Sequence, residues 1–145
     1  MSENLYLARL ALTIQELDRS ADVLVGEAEK IRKEYHDEVM KGGEFIPYWI
    51  NLYKDGVSCR IRWAKVYIRK GENINPGRKF YMRYITKGKG DDYKKNSFKN
   101  PPVRFIELFD KYEPRLAKIR KVLKSNRLLR SRLAAHSTLY KDCIW

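Results

Sequence analysis

Leu7, Leu10, Ile14, Leu17, Ala21, Leu24, Ala28, Ile31 and Tyr35 follow one another in alternating steps of three and four, nine positions without a miss. Only a helix brings such positions onto one seam, and the period of 3.5 is that of helices lying along other helices. Residues 2–41 contain no proline and a single glycine, Gly26. Glu27 with Lys30 and Glu29 with Lys33 stand at helical spacing on the flanks, as does the like-charged pair Glu34 and Glu38. Such a seam has two uses. It packs on the chain's own sheet and C-terminal helix, or it forms a homodimer through Leu7–Tyr35, where the small Ala21 and Ala28 admit a close partner. Gly42-Gly43 is a helix stop, because glycine takes the left-handed conformation there at little cost.

Three extended runs follow. Residues 45–53 are aromatic and β-branched, with Pro47 suited to a strand start or an edge. Asp55-Gly56 is a hairpin signal. In the next run Val57, Cys59, Ile61 and Trp63 alternate on one face, then Ala64, Val66 and Ile68 take up the opposite phase, which predicts a bulge near Trp63-Ala64. Asn75-Pro76-Gly77 marks a turn, and residues 79–86 alternate again. Residues 87–102 have no periodicity. Asn100-Pro101 reads as a cap and first-turn pair for a helix over 103–112, which Pro114 ends or kinks before a last helix. The expectation is an α+β fold in a single domain, 1–145: a long N-terminal helix (1–41), a three-stranded antiparallel meander (44–87), a flexible basic loop (88–102) and two C-terminal helices (103–138).

The charge is strongly partitioned. The chain has 31 Lys and Arg against 18 Asp and Glu, a net charge of +13 with the histidines neutral. Residues 1–41 hold six basic and nine acidic side chains and therefore carry −3, while the remainder carries +16. Residues 114–141 contain nine Lys or Arg and no acid. Like charges at i, i+3 and i+4 destabilise a free helix, so an acid-free basic helix points to a polyanionic partner. A composition of 43% apolar residues supports a folded core rather than a disordered basic tail.

Several chemistries lack their residues. His36 and His136 stand a hundred positions apart with no ligand set at metal spacing, so no metal and no cofactor is expected. No phosphate-cradling glycine motif is present, and Lys87-Gly88-Lys89-Gly90 has the wrong spacing for one. Asp92-Tyr93-Lys94 resembles the acid-x-Lys arm of a metal-dependent nuclease, the least favoured of the readings. Cys59 and Cys143 read as reduced thiols. No run approaches the roughly 18 apolar residues of a membrane span, and the first residues lack the basic start of a secretory signal. The expected location is cytoplasmic, without membrane contact, and the expected role is binding rather than catalysis.

Candidate contacts are therefore the arginines and lysines. Arg60 and Arg62 share one strand face, and Tyr81 and Arg83 share another; the expectation joins all four on the exposed face, with Cys59, Ile61, Trp63, Phe80, Met82 and Tyr84 turned inward. Arg69, Lys87, Lys89, Lys94 and Lys95 extend this set through the turn and the loop. The C-terminal helix adds Arg115, Lys118, Arg120, Lys121, Lys124, Arg127, Arg130 and Arg132. Arginine interleaved with tyrosine suits phosphate and base contact. Duplex DNA is the favoured ligand, and RNA or the ribosome is the alternative.

The acidic helix with Glu27-Ala28-Glu29-Lys30-Ile31, the strand around Tyr48-Trp49-Ile50, the run Val57-Ser58-Cys59-Arg60-Ile61-Arg62-Trp63 and the basic C-terminal helix together resemble MobI-type conjugative transfer proteins. The resemblance implies an auxiliary DNA-binding factor at the origin of transfer that helps the relaxase begin mobilisation. It brings no defined functional residues with it.

Overall fold

The computed structural model describes residues 2–56, 58–68 and 80–144. Helix α1 spans Ser2–Lys41. It stops at the two glycines, Gly43 taking a φ of 70°. Arg104 reaches back to donate to the carbonyls of Glu38 and Val39, two of the acceptors a helix end leaves open. Strands β1 (Tyr48–Asp55), β2 (Ser58–Ile68) and β3 (Phe80–Tyr84) form an antiparallel sheet in the order β1-β2-β3. Asp55 pairs with Ser58 across the hairpin, and Gly56 supplies the positive φ of 59° that it needs. Helix α2 then runs from Val103 to Ile144. No described helix is long and apolar enough to cross a membrane.

The α+β class and the order of elements are as expected, with four differences in detail. First, residues 103–144 form one helix rather than two: Pro114 sits inside it on an exposed position. Second, β2 contains no bulge, because its ladder to β1 runs unbroken from Tyr48↔Lys65 to Asp55↔Ser58. The change of phase arises because the strand is buried on both sides: Trp63 faces the helices, while Ala64 and Val66 are buried on the opposite side. Third, the segment expected to be a flexible loop is anchored. Tyr93 and Phe98 insert into the core, and Phe98 meets the rings of Tyr48, Phe105 and Phe109 at 5.0, 4.9 and 5.3 Å. Fourth, Asn100 does not cap α2 but takes the left-handed conformation (φ 45°), and the first helical turn bonds back to the carbonyl of Pro102.

The core lies between the inner face of the sheet and the two helices. Trp63 is its centre, fully buried against the rings of Tyr35, Phe105 and Phe109. Of the seam residues, Ala28, Ile31 and Tyr35 enter this core and Leu24 packs at its margin. Beyond Leu24 and Leu123 the helices leave the sheet and continue as an antiparallel arm. It is joined by Ser20 with Asn126, Asp18 with Arg130 at 2.8 Å, and Tyr6 with His136 and Tyr140. Twenty residues at 1.5 Å each make this arm about 30 Å long. The seam is thus used within the chain, by its own sheet and C-terminal helix. A homodimer through Leu7–Tyr35 would have to displace those contacts.

Candidate nucleic-acid interface

The two helices settle which positive charges are neutralised. Glu38 accepts from Lys111 at 2.7 Å, Glu34 pairs with Arg115 at 3.0 Å, and Asp18 pairs with Arg130 at 2.8 Å. Hydrogen bonding from Arg115 holds the Glu34 carboxyl below its ordinary range, and bonds from Lys111 and Tyr112 do the same for Glu38. Within the acid-free stretch of α2, Arg115 and Arg130 therefore find their acids on α1, along one side only.

Arg120 belongs to the interior. Its guanidinium makes a bidentate pair with Glu113 at 2.8 and 2.9 Å and donates to the carbonyls of Ile61 (2.9 Å) and Asp91 (3.1 Å). Glu113 also accepts from the Trp63 indole and the Tyr93 amide, each at 2.9 Å. Both side chains are more than 90% buried. One ion pair thus ties α2, β2 and the 89–94 segment together, and it fixes one wall of a basic cleft. Arg120, expected among the ligand contacts, thus stands at the cleft with its guanidinium bonded inside the protein. Arg115 and Arg130 are likewise engaged, and Lys95 pairs with Asp110 at 2.8 Å.

What remains converges. A cleft of about 340 Å³ lies between the start of β2, the 85–93 segment and the middle of α2. Arg60, Arg62, Lys87, Lys124 and Arg127 line it, with Asp91 the one acid among its lining residues. A second depression shares Asp91 and Lys124 and carries the lining along α2 through Lys121, Leu128 and Arg132. Strand and helix cations thus form one track that leads onto the arm. Lys118 is exposed just before Lys121 on the same helix. Arg60, Lys118, Lys121, Lys124, Arg127 and Arg132 have no ion-pair or hydrogen-bond partner among the described residues.

Arg83 is elsewhere. The pairs Lys65↔Arg83 and Ala64↔Tyr84 put Arg83 and Tyr81 on the face of Lys65, opposite Arg62. The expected quartet is therefore split between two faces, and Phe80, Met82 and Tyr84 turn outward with Arg60 and Arg62 instead of inward. On its own side Arg83 lines a cleft of about 530 Å³ with Lys65, Lys87, Lys99 and Tyr67, where the rings of Tyr67 and Tyr81 stack 5.0 Å apart. Lys65 and Lys99 are basic residues that charge and periodicity alone did not single out. Lys87 lines both clefts and donates to the carbonyl of Gly90. Lys89 and Lys94 are exposed on the anchored segment, and Arg69 lies outside the described residues.

A family model described as MobI protein matches residues 24–134. No curated protein and no solved structure matches the chain. The matched span includes the whole sheet, the core and the basic track as far as Arg132.

Proposed function

The chain belongs to the MobI family, which ties it to conjugative transfer in an accessory capacity, and we propose that it serves there as a non-catalytic DNA-binding factor. It would act at the origin of transfer and help the relaxase begin mobilisation. The observation that carries this reading is the convergence of Arg60, Arg62, Lys87, Lys121, Lys124, Arg127 and Arg132 on one connected track. Their positions on a strand, a loop and a helix are fixed by the buried Glu113–Arg120 pair and the Trp63 core. Phosphate contact uses this type of cation, without an acidic partner and held by the fold, and releases counterions as it forms.

Fluorescence anisotropy with a labelled duplex, titrated across salt, tests the reading. Neutralising about seven phosphates gives a log–log slope near −6, and five to nine give about −4 to −8. A flat salt response removes the DNA-binding proposal. Preference for structured RNA over both duplex and single-stranded DNA transfers the same surface to the RNA reading. Plasmid incubated with Mg²⁺ or Mn²⁺ is expected to stay intact, and nicking would make the protein a nuclease. Tighter binding to origin-of-transfer DNA than to an unrelated duplex of equal length is the expected sign of a role at that site.

A further inference from the structure

The outer face of the sheet leaves large rings in water beside the basic cleft. Across the three strands Tyr53 stands opposite Arg60, Asn51 opposite Arg62, and Ala64 opposite Tyr84, all on one side. The guanidinium of Arg62 lies 3.6 Å from the centre of the Tyr84 ring and 5.7 Å from that of Tyr53, so it is held between two tyrosines. Its Nε is buried with no hydrogen-bond partner. The rings themselves are about half exposed, Tyr53 at 50% and Tyr84 at 48%.

We infer that this face is a stacking platform on which Tyr53 and Tyr84 receive unpaired bases of single-stranded DNA while the adjoining cleft holds its phosphates. This rests on the DNA-binding reading and names the form of DNA the sheet takes. Three features favour that occupant. Arg60 and Arg62 line the basic cleft from β2, the strand between those that carry Tyr53 and Tyr84, so a backbone lying along the cleft brings its bases over the rings. Arg60 on the platform, with Lys124 and Arg127 across the cleft, suits a polyanion better than an apolar partner. In a duplex the base faces are covered by their neighbours, so only an unpaired base can lie flat on an exposed ring.

The full-length chain is tested by anisotropy at one salt concentration with labelled oligothymidine and with a duplex of similar length. The unsubstituted protein is expected to bind both. Tyr53→Ala and Tyr84→Ala each weaken oligothymidine binding by at least about fivefold and leave duplex binding within about twofold, the loss expected for one stacked base. Tyr84→Phe, which keeps the ring, retains single-strand binding and shows that the loss in Tyr84→Ala is not one of folding. Ultraviolet crosslinking of iodouridine-substituted single strand to the unsubstituted protein is expected to label Tyr53 or Tyr84. Duplex binding without single-strand binding overturns the platform and leaves the function proposed above standing. Binding of neither DNA overturns both. Equal losses on duplex and single strand in the alanine variants overturn the assignment to unpaired bases. So do a stronger response with oligouridine than with oligothymidine, and a change in solution mass in the variants without change in DNA binding, which would make the face a contact for RNA or for a second copy.

Discussion

Replacing Arg120 by methionine separates folding from binding in this molecule. Arg120 borders the basic cleft, yet its guanidinium is spent on Glu113 and on the carbonyls of Ile61 and Asp91. The substitution keeps much of the side-chain volume and leaves the Glu113 carboxylate buried with only the Trp63 indole and the Tyr93 amide as donors. Removing one partner of a buried pair costs about 3–5 kcal/mol. At about 3 °C per kcal/mol for a chain of this length, the Tm should fall by about 10–15 °C. Glu113→Gln/Arg120→Met is expected to recover part of that loss, since no charge is left unpaired in the core. Thermal melts by circular dichroism give these values. Anisotropy below the melting range is then expected to give Arg120→Met the salt slope of the parent. Lys124→Ala should do the reverse, with the Tm essentially unchanged and the slope shallower by about 0.9, the contribution of one phosphate contact. If Arg120→Met melts with the parent and its slope becomes shallower, Arg120 reaches the ligand and folding and binding are not separated at this residue.

Three further outcomes follow from the two-helix packing. Glu34 and Glu38 titrate below their unfolded values because of Arg115, Lys111 and Tyr112. Their stabilisation is therefore present above the unfolded value and lost as pH falls through the lower folded one, below about pH 4; Glu34→Gln/Glu38→Gln should show a smaller drop in Tm between neutral pH and pH 3, and an unchanged drop would sever the link. In Gly42→Ala the new Cβ falls where the Arg104 guanidinium now lies, so Arg104 must leave the end of α1. A loss of about 1 kcal/mol in a urea titration is expected, similar to losing a helix cap, and Arg104→Ala should reproduce it. Pro114→Ala restores a backbone donor at an exposed helical site and should raise stability by about 1–2 kcal/mol, less than the full proline penalty because the free chain also gains freedom. A decrease would mean that proline at this position is needed to seat α2 on both α1 and the sheet.

How far the sequence could be read depended on whether a feature was local. The seam from Leu7 to Tyr35, the glycine stop and the Asp55-Gly56 hairpin are each written within a few neighbouring residues, and each is where the pattern puts it. The facing of β3 was not local. A one-residue change in register turns every side chain of a strand over, and the long connection between β2 and β3 leaves that parity open. So Tyr84 was expected inward and Arg83 outward, the reverse of the pairing Ala64↔Tyr84 and Lys65↔Arg83. The apparent bulge had the same origin. Trp63 and Ala64 are both buried, and a strand covered on both sides has no single apolar phase to follow. In residues 87–102 only two side chains, Tyr93 and Phe98, decide between a free loop and a packed one. A pair of aromatics among lysines and glycines carries no period that could reveal it.

The partition of charge takes on a different meaning once the helices lie side by side. A basic stretch without acids, considered alone, suggested that every cation in it awaited an external anion. Antiparallel packing on α1 instead supplies Asp18 to Arg130 and Glu34 to Arg115, and Glu113 from α2 itself supplies Arg120. Lys118, Lys121, Lys124, Arg127 and Arg132 have no such acid among the described residues, and repulsion at helical spacing acts on them in the free protein. The aliphatic stripe cannot relieve it either, since Leu128 and Leu129 are about half exposed in the arm. An anion along the track would remove that repulsion in the same step as it binds. Binding is therefore expected to stiffen the arm, and amide hydrogen exchange in residues 124–135 should slow on adding DNA by more than it does in the core around Trp63. Equal protection of both regions would show that the arm's charges are not where the binding free energy is spent.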